Sequence, residues 1–325
     1  MSDQHTPQSL AQQELRRAAL EYHEKPIPGK ISVQATKQLV NQRDLALAYT
    51  PGVAAPCEEI AKDPNAAFKY TSKGNLVAVV TNGTAVLGLG DIGPLASKPV
   101  MEGKGVLFKK FAGIDVFDIE INEKNDLDKL VDIIAALEPT FGGINLEDIK
   151  APDCFYVERK LRERMKIPVF HDDQHGTAIV VLAALINSLK LVNKKIEDCK
   201  IIINGVGAAG TAIAHLLVLN GAKNIIGFDR QGAITKNRES NDEMRQWFMD
   251  NCNPSQFNGT LSESMEEADI FIGVSAPNVL TEKDIASMAP RSIVFALANP
   301  DPEIDPSIAR KHAAVVATGR SDHPN

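Results

Sequence analysis

Apolar positions along this chain fall into short unbroken runs separated by helically spaced stripes, the order expected of parallel sheets covered by helices. From about Gln8 to Glu24, Leu10, Leu15, Ala18, Ala19 and Tyr22 recur with helical spacing until Pro26, Pro28 and Gly29 stop the pattern. A stripe of that kind is expected to pack on its own domain, with a second subunit as the other acceptor. Asp44–Ala54 is an apolar run broken at Pro51-Gly52. Strands are then expected at Leu76–Val80, Ile114–Ile121, Phe141–Ile149 and Ile167–Phe170, with Ile167, Val169 and Phe170 burying the last. Helices are expected at Asp126–Leu137, at Asp153–Met165, from about Gly176 to Leu191, and from Pro99 onward, a proline suited to a helix start. Further on, strands are expected at Lys200–Asn204, Asn224–Phe228, Asp269–Val274, Ser292–Asn299 and Ala313–Thr318, with Thr211–Leu219 and Thr281–Met288 helical.

At 325 residues, 44% of them hydrophobic, the chain exceeds a single core and divides most simply into two α/β domains, 1–165 and 166–325. With 35 basic against 42 acidic residues and a net charge of -7, it has no electrostatic footprint for nucleic acid, and small molecules are the expected partners. Cys57, Cys154, Cys199 and Cys252 form no Cys-x-x-Cys pair, so neither a zinc site nor a disulfide framework is indicated and a reducing cytoplasm fits. The first residues lack an apolar signal core. The longest apolar run, Ala178–Ile186, is too short for a bilayer, so no membrane insertion is expected.

Two strand-to-helix junctions about 25 residues apart end in paired acids, Glu147-Asp148 and Asp172-Asp173. Open α/β sheets bind ligands at the carboxyl ends of their strands. Neighbouring strands that point carboxylates into one cleft would suit Mg²⁺ or Mn²⁺, which take oxygen ligands and keep water positions for a substrate. Helix capping and solvation account for either pair alone. Tyr49 sits at an element end, where a tyrosine packs more often than it reacts. Lys104, between Gly103 and Gly105, has small neighbours that permit close backbone approach, although a surface lysine reads equally well. The glycine-dense loop Val86–Gly93 lacks the order of a nucleotide loop and could be only a turn.

The order is right further on. Strand Lys200–Asn204 runs into Gly205-Val-Gly-Ala-Ala-Gly210, and an apolar helix follows. Gly205 allows the tight turn, Gly207 lets a pyrophosphate approach the backbone beside Ala208 and Ala209, and Gly210 lets helix and strand pack closely. Asp229, ending the next strand, is placed to accept the adenine ribose hydroxyls, which argues for NAD, while Arg230 and Lys236 could meet the 2′-phosphate of NADP. This half is expected to be a doubly wound Rossmann-type dinucleotide-binding domain. Ser275–Asn278 and Ala298–Asp301 fall at strand ends, on the nicotinamide side of its cleft or in Asx and proline turns. The last residues, Thr318–Asn325, read as another loop of that edge, so the domain is expected to be truncated at its C-terminal end.

With these residues assembled, the chain resembles malic enzyme, most closely the malic enzyme portion of the bacterial hybrid type that carries a C-terminal phosphotransacetylase-like domain. The signatures are Ala48-Tyr-Thr-Pro-Gly-Val-Ala54, Leu87-Gly-Leu-Gly-Asp-Ile-Gly93, Pro99-Val-Met-Glu-Gly-Lys104, Asn145-Leu-Glu-Asp-Ile149, His171-Asp-Asp-Gln-His-Gly-Thr177 and Ala296-Leu-Ala-Asn-Pro300. The resemblance implies an N-terminal malate-binding domain and oxidative decarboxylation of malate to pyruvate and CO₂, with NADP or NAD and Mg²⁺ or Mn²⁺. It implies Glu147, Asp148 and Asp173 as metal ligands with Asp172 beside them. It makes Lys104 the base for the C2 hydroxyl, a role a lysine can take if burial or the nearby cation lowers its pKa, Tyr49 the acid at C3, and Asn299 a contact to substrate and cofactor. A homodimer or larger assembly is implied as well. The family's long eukaryotic form has an arginine before its Leu-Gly-Leu-Gly loop; Thr84-Ala85-Val86 has none, which shifts carboxylate binding to Thr84, loop amides or Asn299. Two other readings are another two-domain NAD(P)-dependent dehydrogenase and a catalytically inactive nucleotide-sensing module. A hinge is expected within Ile167–Thr177.

Overall fold

The computed structural model describes residues 10–325 except 87, 88, 241, 321, 322 and 324. Two sheets carry the chain. The first has four parallel strands, β1 (Leu76–Thr81), β2 (Asp115–Glu120), β3 (Gly143–Leu146) and β4 (Val169–His171), in the order β2-β1-β3-β4. The second has six, β5 (Lys200–Asn204), β6 (Asn224–Asp229), β7 (Gly232–Ala233), β8 (Ile270–Gly273), β9 (Ile293–Ala296) and β10 (Val315–Thr318), in the order β10-β9-β8-β5-β6-β7. All are parallel except the two-residue β7.

Both faces of the second sheet are covered, which explains why its strands read as unbroken apolar runs rather than alternating ones. Ile201, Ile203, Ile270, Ile272, Ile293 and Phe295 join one core with the helices Thr177–Val192 and Ala208–Leu219. Ile202, Phe271, Val294 and Ala296 point the other way into a second core with Met265, Ile285 and Ala309. The first sheet packs Ala78, Val80, Ile144 and Leu146 against the helices Leu127–Ala135 and Asp153–Arg164. After β5 the chain builds β6 and β7 on one side and returns to build β8, β9 and β10 on the other. Strand order therefore reverses beside β5, and the crevice lies there.

Four expectations are corrected. The helix Leu10–Glu24 covers no core of its own chain: Leu10, Leu15, Leu20 and Tyr22 are all exposed, because no described element lies over the stripe. The helix Pro94–Leu107 begins at Pro94, after Gly93 at φ +81°, and Pro99 lies inside it. Pro94 takes the start because its missing donor is one of the orphans of a first turn. A π-helical turn, Asp172–Gly176, runs directly into Thr177–Val192. This continuous 21-residue segment, mean hydropathy 1.6, is long and apolar enough to cross a membrane by length and composition. Here its inner face, including Val181, Leu185 and Leu189, is core, while Ile179, Val180, Ile186 and Leu191 are exposed. Just before β4, Ile167 is buried as expected, but within the strand the fully buried side chain is that of His171 rather than Phe170.

Candidate active site

β3 and β4 are neighbours, so the residues that follow them emerge side by side at the carboxyl edge of the first sheet. Glu147 is fixed by its N–H to the Val80 carbonyl and by Asn145 Nδ2, which donates to Oε2 at 2.8 Å. Asp148 turns in the left-handed region at φ +54°, a conformation that costs a non-glycine residue about 1 kcal/mol or more and concentrates at functional sites. Its N–H donates to Asp173 Oδ2 at 3.0 Å. One oxygen from each of Glu147, Asp148 and Asp173 lies within 4.8 Å of the others. Glu147 is 5% and Asp148 4% exposed.

Three crowded acids out of water do not ionise easily. Burial pushes the Glu147 carboxyl up to about 8 against the pull of Lys104. Burial, with Asp173 adding to it, pushes Asp148 up to about 7, and burial raises Asp173 as well. Asp148 Oδ2 is buried without a hydrogen-bond partner. An orphaned oxygen among converging carboxylates is the donor set a hard divalent cation takes; the residues present fit such an ion.

Lys104 reaches this edge from the helix Pro94–Leu107, its Nζ 3.0 Å from Glu147 Oε1 and 2.8 Å from Asp172 Oδ2. Gly105 makes the approach possible, since a Cβ there would press on Val116 of β2 at 3.3 Å. Burial alone would lower the pKa of the ammonium, but Glu147 and Asp172 outweigh it and carry Lys104 above the usual lysine range. Burial alone therefore does not give the lowered value expected of a base here; the two acids prevail over it. Asp172 folds back over Gly176, where a Cβ would collide with its carboxylate. Behind Asp173 stands His171, with Nε2 at 3.6 Å from Oδ2; burial lowers its pKa against the pull of Asp173.

Two expected residues lie apart from this cluster. Tyr49 ends the helix Gln42–Ala48 with its side chain 70% exposed, and among the described residues no hydrogen bond joins it to Lys104 or the acids. Thr84 is buried and its hydroxyl is committed, donating to Asn82 Oδ1 at 2.7 Å and accepting the N–H of Lys150 at 3.0 Å. It braces the loop rather than turning to a ligand. In the neighbouring glycine loop, Leu87 and Gly88 lie outside the described residues.

In the second sheet, Gly205 at φ +105° turns the chain, and Gly205 and Val206 donate N–H groups to the Phe228 carbonyl. A Cβ at Gly210 would strike the Gly205 carbonyl, whereas one at Gly207 would meet nothing within 4 Å. Gly207 thus opens onto free space at the start of Ala208–Leu219, where no side chain among the described residues caps the helix. That end suits a phosphate. A cavity of about 180 Å³ beside it is lined by Gly207, Thr211, Pro152 and Arg245. A larger one of about 1000 Å³ lies between Asp153–Arg164 and Ala208–Leu219, and none of the three acids lines it.

Asp229 ends β6 as expected, but its carboxylate is not a free acceptor for ribose hydroxyls. Arg238 Nη1 donates to both of its oxygens at 2.8 and 2.9 Å, Arg245 Nη2 donates to Oδ2, and the Gln231 N–H to Oδ1. Despite burial, Arg238, the Gln231 N–H and Arg245 hold this carboxyl below the usual range. The two arginines were missed from the sequence because they sit 9 and 16 residues downstream, outside any motif. Arg230 and Lys236 are exposed. Asn299 is exposed at the end of β9, beside Gly319.

Comparison with known proteins agrees with this layout. Residues 28–162 match the malic enzyme N-terminal domain and residues 174–319 the malic enzyme NAD binding domain. The NADP-dependent malic enzyme of Haemophilus influenzae is 61% identical over 317 residues, 96% of this chain and 42% of that protein. The NADP-dependent malic enzyme of Halomonas elongata is 52% identical over 95% of this chain and 73% of its own length. The crystal structure of the NAD-dependent malic enzyme of Thermotoga maritima superimposes with a TM-score of 0.88 at 47% identity, covering 99% of this chain and 82% of that one. The chain thus spans about two fifths of the Haemophilus relative. An acid cluster at the edge of one parallel sheet, a dinucleotide loop at the edge of the next, and these matches across both make the chain a member of the malic enzyme family.

Proposed function

We propose that the chain is the catalytic part of a malic enzyme that converts (S)-malate to pyruvate and CO₂ while reducing NADP⁺ in preference to NAD⁺, with Mg²⁺ or Mn²⁺. The observation that carries the reading is Lys104 held between Glu147 and Asp172, beside the converging oxygens of Glu147, Asp148 and Asp173. A divalent cation on those acids would supply positive charge for the C2 oxygen and a carboxylate of malate, and would offset the acids that keep Lys104 protonated. Lys104 then gives its proton to solvent and, as the neutral amine, takes the C2 hydroxyl proton as hydride leaves C2 for the nicotinamide. Oxaloacetate results. Its C3–C4 bond breaks to release CO₂, and Tyr49, which lies apart from the acids in the single chain, returns a proton to C3 once it is brought to the cleft and recovers one from Lys104. Asp172 holds Lys104 in place by its 2.8 Å bond. Asn299 contacts substrate and cofactor from the end of β9.

NADP preference is supported by the naming of the Haemophilus and Halomonas relatives and by the cationic surroundings of Asp229, although an NAD-dependent relative from Rhizobium meliloti is 57% identical. The reading includes a cytoplasmic homodimer or larger assembly, supported by the exposed apolar faces of Leu10–Glu24 and Thr177–Val192. It includes a C-terminal phosphotransacetylase-like domain in a longer chain, supported by the 42% coverage of the Haemophilus relative. Initial rates with malate, comparing NAD⁺ and NADP⁺ with Mn²⁺ or chelator, test it. Malate-dependent NADP⁺ reduction abolished by chelator and restored by Mn²⁺ is expected; full activity without metal refutes it.

A further inference from the structure

Glu303 is 0% exposed, a rare position for a side chain that can ionise. Its oxygens are divided between two loops. Oε1 accepts the N–H of Ser275, beyond β8, and Oε2 accepts the N–H of Ala298, beyond β9, each at 3.0 Å. The main chain beside it is tied to the first of these loops as well, through Asn278 N–H to the Pro302 carbonyl and Leu280 N–H to the Glu303 carbonyl. Ser275 Oγ in turn accepts from Asn204 Nδ2 at 2.7 Å, the last residue of β5 before the glycine turn. Gly273 makes room for all this, because a Cβ there would collide with the Glu303 carboxyl group. One carboxylate thus joins the ends of β8 and β9 and, through Ser275, that of β5.

The sheet order says what these ends face. With pyrophosphate at the loop after β5 and the adenosine half toward β6 and Asp229, the nicotinamide half lies over β8 and β9. We propose that Glu303 is a positioning residue for hydride transfer, fixing the ends of β8 and β9 in the register that sets the nicotinamide against C2 of malate. The inference rests on the malic enzyme reading above.

Glu303→Gln in the purified full-length protein tests it, because glutamine keeps the shape but turns an NH₂ group toward one of the two N–H donors. Two reactions are compared. Malate oxidation needs the nicotinamide aligned, whereas Mn²⁺-dependent decarboxylation of added oxaloacetate needs no hydride transfer. Oxidation is expected to fall on the order of 10- to 100-fold, the cost of a displacement of about 1 Å, with a larger isotope effect from C2-deuterated malate. Oxaloacetate decarboxylation and the NADPH dissociation constant should stay within about threefold. Gly273→Ala displaces the carboxylate without removing it and should give the same split, so it decides the matter if Glu303→Gln does not fold. Equal loss of both reactions, no loss of either, or failure of both variants to fold overturns the proposal. A wild-type protein that does not reduce NADP⁺ with malate overturns the functional reading itself and the proposal with it.

Discussion

Removing the Lys104 ammonium should destabilise the metal-free protein in a pH-dependent way that a divalent cation relieves. The side chain is 21% exposed and faces one buried acid, Glu147, and one that is 33% exposed, Asp172. Deleting one partner of a buried pair costs about 3–5 kcal/mol when the other stays charged; Glu147 can take up a proton instead, so about 1.5 kcal/mol is the expected loss for Lys104→Ala at pH 8. In a domain of this size that is a fall of roughly 3–6 °C in melting temperature. Glu147 sets the pH dependence. Its folded value of about 8 lies above the ordinary 4.5, so folding disfavours its ionised form and stability falls as pH rises between the two. At pH 5.5 the acid holds its proton with or without Lys104, and the loss should shrink to about 1 kcal/mol, the remainder belonging to the wetter Asp172 pair. Mn²⁺ should narrow the gap at pH 8, because the cation replaces the missing charge and binds only the folded acids. Calorimetric melting of both proteins at pH 5.5 and 8, with chelator and with Mn²⁺, reads all of this. A chelated variant that melts at or above the wild type at pH 8 would refute the reasoning. Malate oxidation should fall on the order of 10²- to 10⁴-fold, with NADPH affinity nearly intact.

The glycine loop offers a paired comparison. Gly210→Ala drives a Cβ into the Gly205 carbonyl and should cost about 2 kcal/mol as overpacking does, lowering both melting temperature and NADPH affinity; an unchanged melting temperature would mean that the turn and helix have slack. Gly207→Ala meets no protein atom within 4 Å, so it should leave melting unchanged and lower NADPH affinity about tenfold or more in a fluorescence titration, since only a bound phosphate needs that space. Val180→Asp, on the exposed face of Thr177–Val192, should shift the proposed assembly to monomer in sedimentation; a variant that keeps the wild-type assembly places the interface elsewhere.

Why some of this was legible in the sequence and some was not has a physical answer. Ile201-Ile202-Ile203 could be read as a strand because a parallel sheet buried on both faces demands apolar residues at every position, here feeding two separate cores. Gly205, Gly207 and Gly210 were legible because a missing side chain is itself a local constraint. The paired acids were legible as pairs, but that Asp148 and Asp173 meet while Asp172 turns to Lys104 depends on the π-helical turn after β4, which no periodicity announces. Asp229 is the clearest failure: a motif marks the acid, while Arg238 and Arg245 come from a segment without pattern and change what the acid can do. Amphipathic spacing likewise says that a helix face is to be buried, and not by whom, so Leu10–Glu24 was assigned to a core that does not cover it.

The expectation of a hinge within Ile167–Thr177 also changes form. A hinge needs residues free to alter φ and ψ, yet Asp172–Gly176 is hydrogen-bonded helical turn and continues without a break into Thr177–Val192. The far end of that helix is locked into the core of the second sheet through Val181, Leu185 and Leu189. Asp172 and Asp173 therefore join the end of β4, in the first sheet, to a helix packed on the second, while Glu147 and Asp148 follow β3 of the first sheet. Asp148 N–H to Asp173 Oδ2 and Lys104 to both Glu147 and Asp172 tie these two strand ends together. A cation held by Glu147, Asp148 and Asp173 would draw its ligands from two adjacent strand ends, one of them continuous with a helix of the second sheet's core, so metal binding would brace the connection between the two sheets.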